Sequence, residues 1–155
     1  DLVWHFIGHL QANKTRQAAE TFAWVHTVAR LRIAERLSRQ RPDSLGDLNV
    51  CVQVNVDDEA QKSGVRPEQV LPLARTIADL PRLRLRGLMC LPAVRTEFSE
   101  QRKPFALLRE LNDQLKSAGL PVDTLSMGMT GDYRAAIFEG ATIVRIGTAL
   151  FGQRQ

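Results

Sequence analysis

Short runs of apolar, β-branched residues alternate with longer amphipathic segments along this chain of 155 residues. The alternation predicts six strands, over 3–7, 24–28, 49–56, 83–91, 122–126 and 142–146. Apolar residues at helical spacing predict helices between them; Pro67 begins one helix, and Gly119 ends another. Strands that alternate with helices lie parallel and are covered by those helices. The pattern therefore limits the fold to an α/β class, either a doubly wound sheet or a (β/α)8 barrel.

The charge balance needs a separate reading, because 21 basic residues outweigh 17 acidic ones. Much of the excess lies in one stretch and consists of Arg30, Arg32, Arg36, Arg39 and Arg41. Clustered cations attract phosphate backbones, but no nucleic-acid motif or aromatic platform accompanies them. We therefore interpret the stretch as a solvated helix face and expect no nucleic-acid partner.

The two cysteines, Cys51 and Cys90, lie far apart and inside apolar runs. This placement predicts buried, reduced thiols in a cytoplasmic protein. No apolar run approaches the roughly 20 residues that a membrane span needs, so we expect no membrane partner. His5 and His26 have no carboxylate at ligand spacing, so we expect no metal site.

Polar and glycine residues concentrate after the predicted strands, where parallel α/β folds gather functional groups. Ser126 and Gly128 follow the fifth strand, and Gly147 and Thr148 follow the sixth. In a barrel, the loops after the last two strands frequently bind a phosphate. The hydroxyls of Ser126 and Thr148, with amides near Gly147, would satisfy its oxygens. The alternative is that Gly128 and Gly147 are plain turn residues.

Arg145 lies inside the last strand between Val144 and Ile146. A charged side chain is rarely buried unless it is paired, so this arginine needs an acceptor. A ring nitrogen or a phosphate would supply one, and a structural ion pair with a carboxylate is the alternative. By spacing alone, Lys62 is a solvated loop lysine, and His5 and His26 equally fit hydrogen-bonded core histidines.

Five segments, in order along nearly the whole chain, resemble the YggS/PROSC family of vitamin B6 homeostasis proteins. They are Trp4 to Lys14 (WHFIGHLQANK); Gln53 to Asn55 with Glu59, Lys62, Ser63 and Gly64; Arg86 to Met89 with Pro92; Leu125 to Met129 with Asp132 and Ala135 to Ile137; and Val144 to Thr148 with Phe151 and Gly152. Five long motifs in order are far more specific than any short pattern.

The resemblance implies a (β/α)8 TIM-type barrel similar to the N-terminal domain of alanine racemase. On this interpretation residues 1–155 are one partial pyridoxal-phosphate-binding domain that supplies strands 3 to 8, and the first two βα units are missing. The family's Schiff-base lysine lies on the first of those strands and is therefore absent from this chain. We expect such a fragment to be poorly soluble, because open sheet edges promote aggregation.

The resemblance also implies a cofactor, pyridoxal 5′-phosphate, and roles for the matching residues. Arg145 would face the pyridine nitrogen. Ser126, Gly147 and Thr148 would hold the phosphate, and Met127 and Gly128 would also belong to the cofactor-binding residues. Asn55 and Lys62 would lie near the ring and its phenolic oxygen. His5 and Gly8 would line the mouth of the site.

An arginine beside the ring nitrogen can only donate, which keeps that nitrogen unprotonated and weakens the ring as an electron sink. A racemase needs a second acid or base, and Tyr133, the only tyrosine, falls on a predicted helix. We therefore expect a cytoplasmic, monomeric cofactor carrier that is not an enzyme and has no catalytic residue, with pyridoxal-phosphate-dependent apoenzymes as its partners. The alternatives are an alanine-type amino acid racemase barrel and a phosphosugar-metabolising barrel.

Overall fold

The computed structural model describes residues 1–60 and 63–154. Its centre is one sheet of six parallel strands, whose order in the sheet is their order in the chain. A doubly wound sheet changes its strand order at a switch point, so the sequential order identifies the barrel-type arrangement. The strands are β1 (His5–Phe6), β2 (Trp24–Val28), β3 (Leu48–Gln53), β4 (Leu83–Met89), β5 (Thr124–Met129) and β6 (Ile143–Arg145).

Helices connect successive strands, as the sequence pattern predicts. Over the described residues they are α1 (Thr15–Thr21), α2 (Leu31–Gln40), α3 (Pro67–Ala78), α4 (Phe98–Ser117), α5 (Tyr133–Phe138) and α6 (Thr148–Phe151), with 3-10 turns at Ala12–Lys14 and Asp43–Leu45. The longest, α4, buries Phe105, Leu108 and Leu115 completely. It ends where the amide of Leu120 donates to the carbonyl of Leu115, a turn that the positive φ of Gly119 permits.

The sheet is strongly curved. His26 lies on β2 and Ser126 on β5, which in a flat sheet would be separated by about 14 Å, three strand spacings. Yet His26 Nδ1 lies 2.7 Å from Ser126 Oγ, and Arg145 of β6 donates to the carbonyl of Cys90, just after β4, at 2.8 Å. The six strands therefore form a parallel half-barrel, and closure by two further strands stays a prediction.

The hydrophobic core combines residues from the strands with residues from the covering helices. It includes Val25, Val50 and Leu88 from the sheet and Leu37 and Phe105 from the helices, all of them buried. Cys51 and Cys90 are buried as predicted. Burial raises the pKa of the Cys51 thiol to about 12, so this thiol stays protonated. Within the described parts of the chain, no helix has the length and apolarity to cross a bilayer.

Three local features of the secondary structure differ from the sequence predictions. The fifth strand runs to Met129 rather than stopping at Ser126, because Gly128 lies inside the strand instead of forming a turn after it. The four-residue helix α6 was not predicted, since so short a helix shows no hydrophobic period. β1 contains only two residues, against a predicted five.

The arginine-rich stretch is only partly a solvated face. Arg30, Arg32 and Arg39 are exposed as expected, but Arg41 is 6% exposed. Its guanidinium donates to four backbone carbonyls, those of Ala19, Phe22, Leu45 and Gly46. Arg41 therefore ties the end of α1 to the loop before β3, and the prediction that it is solvated was wrong because sequence spacing does not reveal these carbonyls.

Gly87 is required where β4 and β5 approach. Its φ is +155°, and a Cβ there would lie 1.8 Å from the carbonyl oxygen of Thr124. We predict that Gly87→Ala lowers the free energy of unfolding by about 3 kcal/mol or more, because the overlap is with backbone that cannot move aside. Chemical denaturation measures the change. Gly131→Ala, where a Cβ meets nothing within 4 Å, is the matched control, and equal losses in the two variants would contradict the prediction.

Candidate cofactor site at the carboxyl edge of the sheet

Arg145 ends β6 and forms the centre of the site. Its Nη1 donates to Ser126 Oγ at 2.7 Å, and its Nη2 donates to the carbonyl of Cys90 at 2.8 Å. Its Nε is buried and has no hydrogen-bond partner among the described residues. No carboxylate in the described ranges forms an ion pair with it. The described residues therefore do not form the alternative arrangement, in which Arg145 makes a structural ion pair with a carboxylate.

Two histidines extend this contact across the concave face of the sheet. His26 Nδ1 lies 2.7 Å from Ser126 Oγ, and His26 Nε2 lies 2.8 Å from His5 Nδ1. Residues from β1, β2, β5 and β6 thus form one hydrogen-bonded line that ends on Arg145. Sequence reasoning left His26 out of the predicted site, although a histidine between Val25 and Thr27 in an apolar strand was a signal for it.

Both histidines are held in the neutral form. The pKa of His26 is lowered to about 4, first by burial and then by the charges of His5 and Arg145. The pKa of His5 is also lowered, by burial. Each ring therefore has one donor and one acceptor nitrogen at neutral pH.

Stacked side chains support His5 from the amino side of the sheet. The His5 and Trp24 rings are nearly parallel, with centroids 5.1 Å apart. The Arg86 guanidinium lies 4.5 Å from the centre of the Trp24 ring and donates twice to the Asp123 carboxylate, at 3.0 Å each. The hydrogen bonds from Arg86 lower the pKa of Asp123. The stacked rings and the Arg86–Asp123 pair together support His5 in its position.

The predicted phosphate-binding residues lie where β5 and β6 end. Ser126 and Met127 are fully buried, whereas Gly147 and Thr148 are exposed. The Ser126 hydroxyl is already engaged by His26 and Arg145, so a direct phosphate contact would have to displace one of them. Thr130 was not predicted, and its Oγ1 accepts from the amide of Ala149 at 3.4 Å. That bond brings the two loops together.

Gly128 allows these two strands and α5 to approach closely. Its φ is +101°, and a Cβ would lie 2.6 Å from the Cβ of Ala136 and 3.4 Å from Val144. The residue is therefore a packing requirement at the base of the cup formed by the β5 and β6 ends, rather than the plain turn residue of the alternative reading.

The loop after β3 carries Asn55 and is braced against the next loop. Asn55 Nδ2 donates to the carbonyl of Glu59 at 2.7 Å, so this amide first of all shapes its own loop. Asp57 accepts from the amide of Ala93 at 2.6 Å and from Arg95 Nη2 at 2.7 Å. Lys62, the other predicted residue of this loop, lies outside the described residues.

The last predicted residue, Gly8, follows β1. Its carbonyl accepts from Thr27 Oγ1 at 2.7 Å, which ties the β1 loop to β2. A cavity of about 260 Å³ opens at the same edge of the sheet, and its lining consists of Ile7, His9, Thr27, Gln53, Ser63 and Leu91. Among the residues that the structure describes, no group of three or more His, Cys, Asp or Glu side chains is arranged to hold a metal ion.

The chain is similar in sequence to members of a known protein family. Residues 2–155 match the family model of the alanine racemase N-terminal domain. The chain is 60% identical over 153 residues to a pyridoxal phosphate homeostasis protein of Pseudomonas aeruginosa, and 51% identical over 153 residues to one of Escherichia coli. Both matches cover 99% of this chain and 65% of the relative. The chain thus spans less than two thirds of the length of these curated relatives.

Solved structures resemble the half-barrel closely. PipY of Synechococcus elongatus with pyridoxal phosphate bound superposes with a TM-score of 0.87 at 34% identity, over 98% of this chain and 71% of that one. An alanine racemase of Clostridium difficile superposes with a TM-score of 0.78 at 17% identity, over 99% of this chain and 40% of that one. The second likeness shows the fold alone.

The lowered pKa of His26 predicts an acid-sensitive fold. Between pH 6.5 and about 4 the unfolded chain binds a proton at His26 that the folded chain does not bind. The free energy of unfolding therefore falls as the pH falls through this window, by up to roughly 3 kcal/mol from this residue. His5, Arg145, Ser126 and Trp24 face the ring, and none of them is a carboxylate that would stabilise its protonated form.

Urea unfolding at several pH values measures the effect. We expect His26→Phe to lose less stability between pH 6.5 and 4 than the parent protein does, although its stability at neutral pH is lower. Other carboxylates titrate in the same range, so the difference between the two pH profiles is the quantity to compare. Parallel profiles would contradict the prediction.

Proposed function

This chain belongs to the alanine racemase N-terminal domain family, within the group of pyridoxal phosphate homeostasis proteins, and on that premise we propose that it binds pyridoxal 5′-phosphate as a carrier of the cofactor. One observation carries the proposal. Arg145 places a guanidinium at the carboxyl edge of the sheet, with neutral oxygens as its acceptors and Nε without a partner in the described part of the chain. Such a group fits a ligand that supplies an acceptor.

The ring nitrogen of the cofactor is the acceptor that we assign to Arg145. A guanidinium is always protonated and can only donate, so it favours an unprotonated pyridine nitrogen. Bound pyridoxal phosphate supplies an electron sink, which works best with a protonated nitrogen. An arginine in this position therefore supports binding more than it supports catalysis.

The phosphate would lie in the cup between the ends of β5 and β6. Exposed backbone at Gly147 and Thr148, the Thr148 hydroxyl and the close approach at Gly128 suit an anion. The buried positions of Met127 and Gly128 restrict them to shaping the cup and to backbone contacts. We assign Ser126 chiefly to holding Arg145, because its hydroxyl already contacts that guanidinium.

The remaining predicted residues would surround the ring. His5 and Gly8 lie at the end of β1, on the far side of the curved sheet from the phosphate cup. Asn55 lies after β3, in a loop that Asp57 fixes to the neighbouring loop. We also assign Lys62 to the surroundings of the ring, because it matches the family motif that includes Asn55.

We also propose that the half-barrel is part of a closed eight-stranded (β/α) barrel. Sequential parallel order and strong curvature support closure, as does apolar surface beside both edge strands. Its exposed members include Leu2, Val3 and Trp4 near β1, and Leu150 and Phe151 after β6. Two further strands would cover such surface and would remove both edges.

Within the cell we place the protein in the cytoplasm, as a monomer that supplies pyridoxal phosphate to dependent apoenzymes. Two buried cysteines suit a reducing compartment. A racemase would need a second acid or base. The single tyrosine, Tyr133, begins α5, where its hydroxyl contacts the Arg134 side chain at 3.4 Å. This position favours the carrier over the racemase.

Titration with pyridoxal phosphate, followed by absorbance and tryptophan fluorescence, tests the proposal. We expect saturable binding to one site, and binding of pyridoxal, which lacks the phosphate, that is at least about tenfold weaker. Thr148→Val removes one phosphate donor from an exposed position and should weaken binding of pyridoxal phosphate about tenfold. Thr76→Val, on the exposed face of α3, is the matched control and should bind normally.

Two outcomes would replace the proposal. Tight binding of ribose 5-phosphate without a response to pyridoxal phosphate would favour a phosphosugar barrel. Exchange of the α-proton of alanine for deuterium, at a rate that depends on the cofactor, would favour a racemase. Absence of any binding would refute the assigned site.

A further inference from the structure

The line from His5 to Arg145 has a direction that its chemistry fixes. Arginine has only N–H donors, so Ser126 Oγ must accept from Arg145 Nη1 at 2.7 Å. Ser126 is fully buried, and its own hydroxyl proton needs an acceptor. The other described partner of this oxygen is His26 Nδ1, at 2.7 Å. Ser126 therefore donates to His26 Nδ1.

The same reasoning sets the protons on both histidines. A His26 ring that accepts at Nδ1 carries its proton on Nε2, which lies 2.8 Å from His5 Nδ1. His26 then donates to His5, and His5 carries its proton on its own Nε2. Every contact in the line is satisfied by one proton, and each donation runs from Arg145 toward His5.

The reverse direction leaves a buried group unsatisfied. If His26 donated from Nδ1, Ser126 Oγ would accept from both His26 and Arg145, and its hydroxyl proton would have no acceptor among the described residues. A buried donor without a partner costs about 1–3 kcal/mol. A doubly protonated His26 has the same defect and also places a second positive charge near Arg145. The structure therefore favours one direction only.

We propose that Ser126, His26 and His5 are positioning residues that hold Arg145 by a one-way chain of neutral hydrogen bonds, so that the guanidinium keeps its full charge for the bound ligand. A carboxylate would hold an arginine as firmly, but it would cancel the charge. Here the described acceptors are a hydroxyl and the carbonyl of Cys90, and both are neutral. The inference rests on the proposed function only in the identity of the ligand.

Nitrogen-15 NMR of the histidine rings tests the chain in the protein without cofactor. We expect His26 and His5 to be neutral at pH 7 with the proton on Nε2, and His26 to keep that form as the pH is lowered to about 5. A proton on Nδ1 of His26, or a charged His26 at pH 7, would overturn the inference. This measurement needs no variant and no ligand.

Two variants then test the positioning role. Ser126→Ala removes the link between His26 and Arg145, and His26→Phe removes the ring that accepts from Ser126. In both we expect faster hydrogen exchange of the Arg145 guanidinium and affinity for pyridoxal phosphate at least about tenfold lower. In Ser126→Ala, His26 should also become a mixture of tautomers, which lost stability alone would not cause.

Ser38→Ala is the matched control, because Ser38 is a buried serine that donates to the carbonyl of Pro81, outside the line. It should leave the histidine tautomers, the guanidinium exchange and the cofactor affinity unchanged. Equal effects of Ser38→Ala and Ser126→Ala would refute positioning. If the parent protein shows the expected tautomers but binds no pyridoxal phosphate, the chain stands and the proposed function fails.

Discussion

The need to satisfy a partly buried guanidinium explains why polar side chains cross an otherwise apolar sheet. Arg145 ends β6, and its described acceptors come from β5 and from the residue after β4. Ser126 meets it from one side, and the histidines of β2 and β1 extend the contact. The contacts of His26 with Ser126 and of Arg145 with Cys90 join strands that are not neighbours in the sheet, so they also record its curvature. One charge thereby links the shape of the half-barrel to its candidate site.

The loops at the carboxyl edge are tied to one another as well as to their strands. Asp57 holds the loop after β3 to Ala93 and Arg95 of the loop after β4. Gln101 Nε2 then donates to the carbonyls of Arg95 and Gly131. Thr130 connects the loop after β5 to Ala149 after β6. These hydrogen bonds link the loops that carry the residues we propose for the ring and for the phosphate, and a binding site needs such residues at defined separations.

The sequence predicted the strands and helices well, because a buried parallel strand and an amphipathic helix each have a clear period. It also predicted that His5, Ser126 and Arg145 belong to one site, and the structure joins them. It could not assign the partner of Ser126, because His26 lies 100 residues away and contacts it only through curvature. Position at a strand end suggested a phosphate ligand, whereas the side chain is turned to Arg145. The histidines are hydrogen-bonded, as the alternative interpretation held.

The kind of acceptor beside Arg145 determines how much positive charge the guanidinium offers to a ligand. A carboxylate in place of Ser126 would neutralise the guanidinium and weaken its attraction for a ligand lone pair. A hydroxyl that accepts from the guanidinium and donates its own hydrogen bond to a neutral histidine satisfies the arginine N–H and leaves the charge intact. In the proposed complex this charge meets the pyridine nitrogen and opposes its protonation, which lowers the acidity of groups attached to the ring. In that proposed complex, the interaction that would strengthen cofactor binding would also weaken the ring as an electron sink.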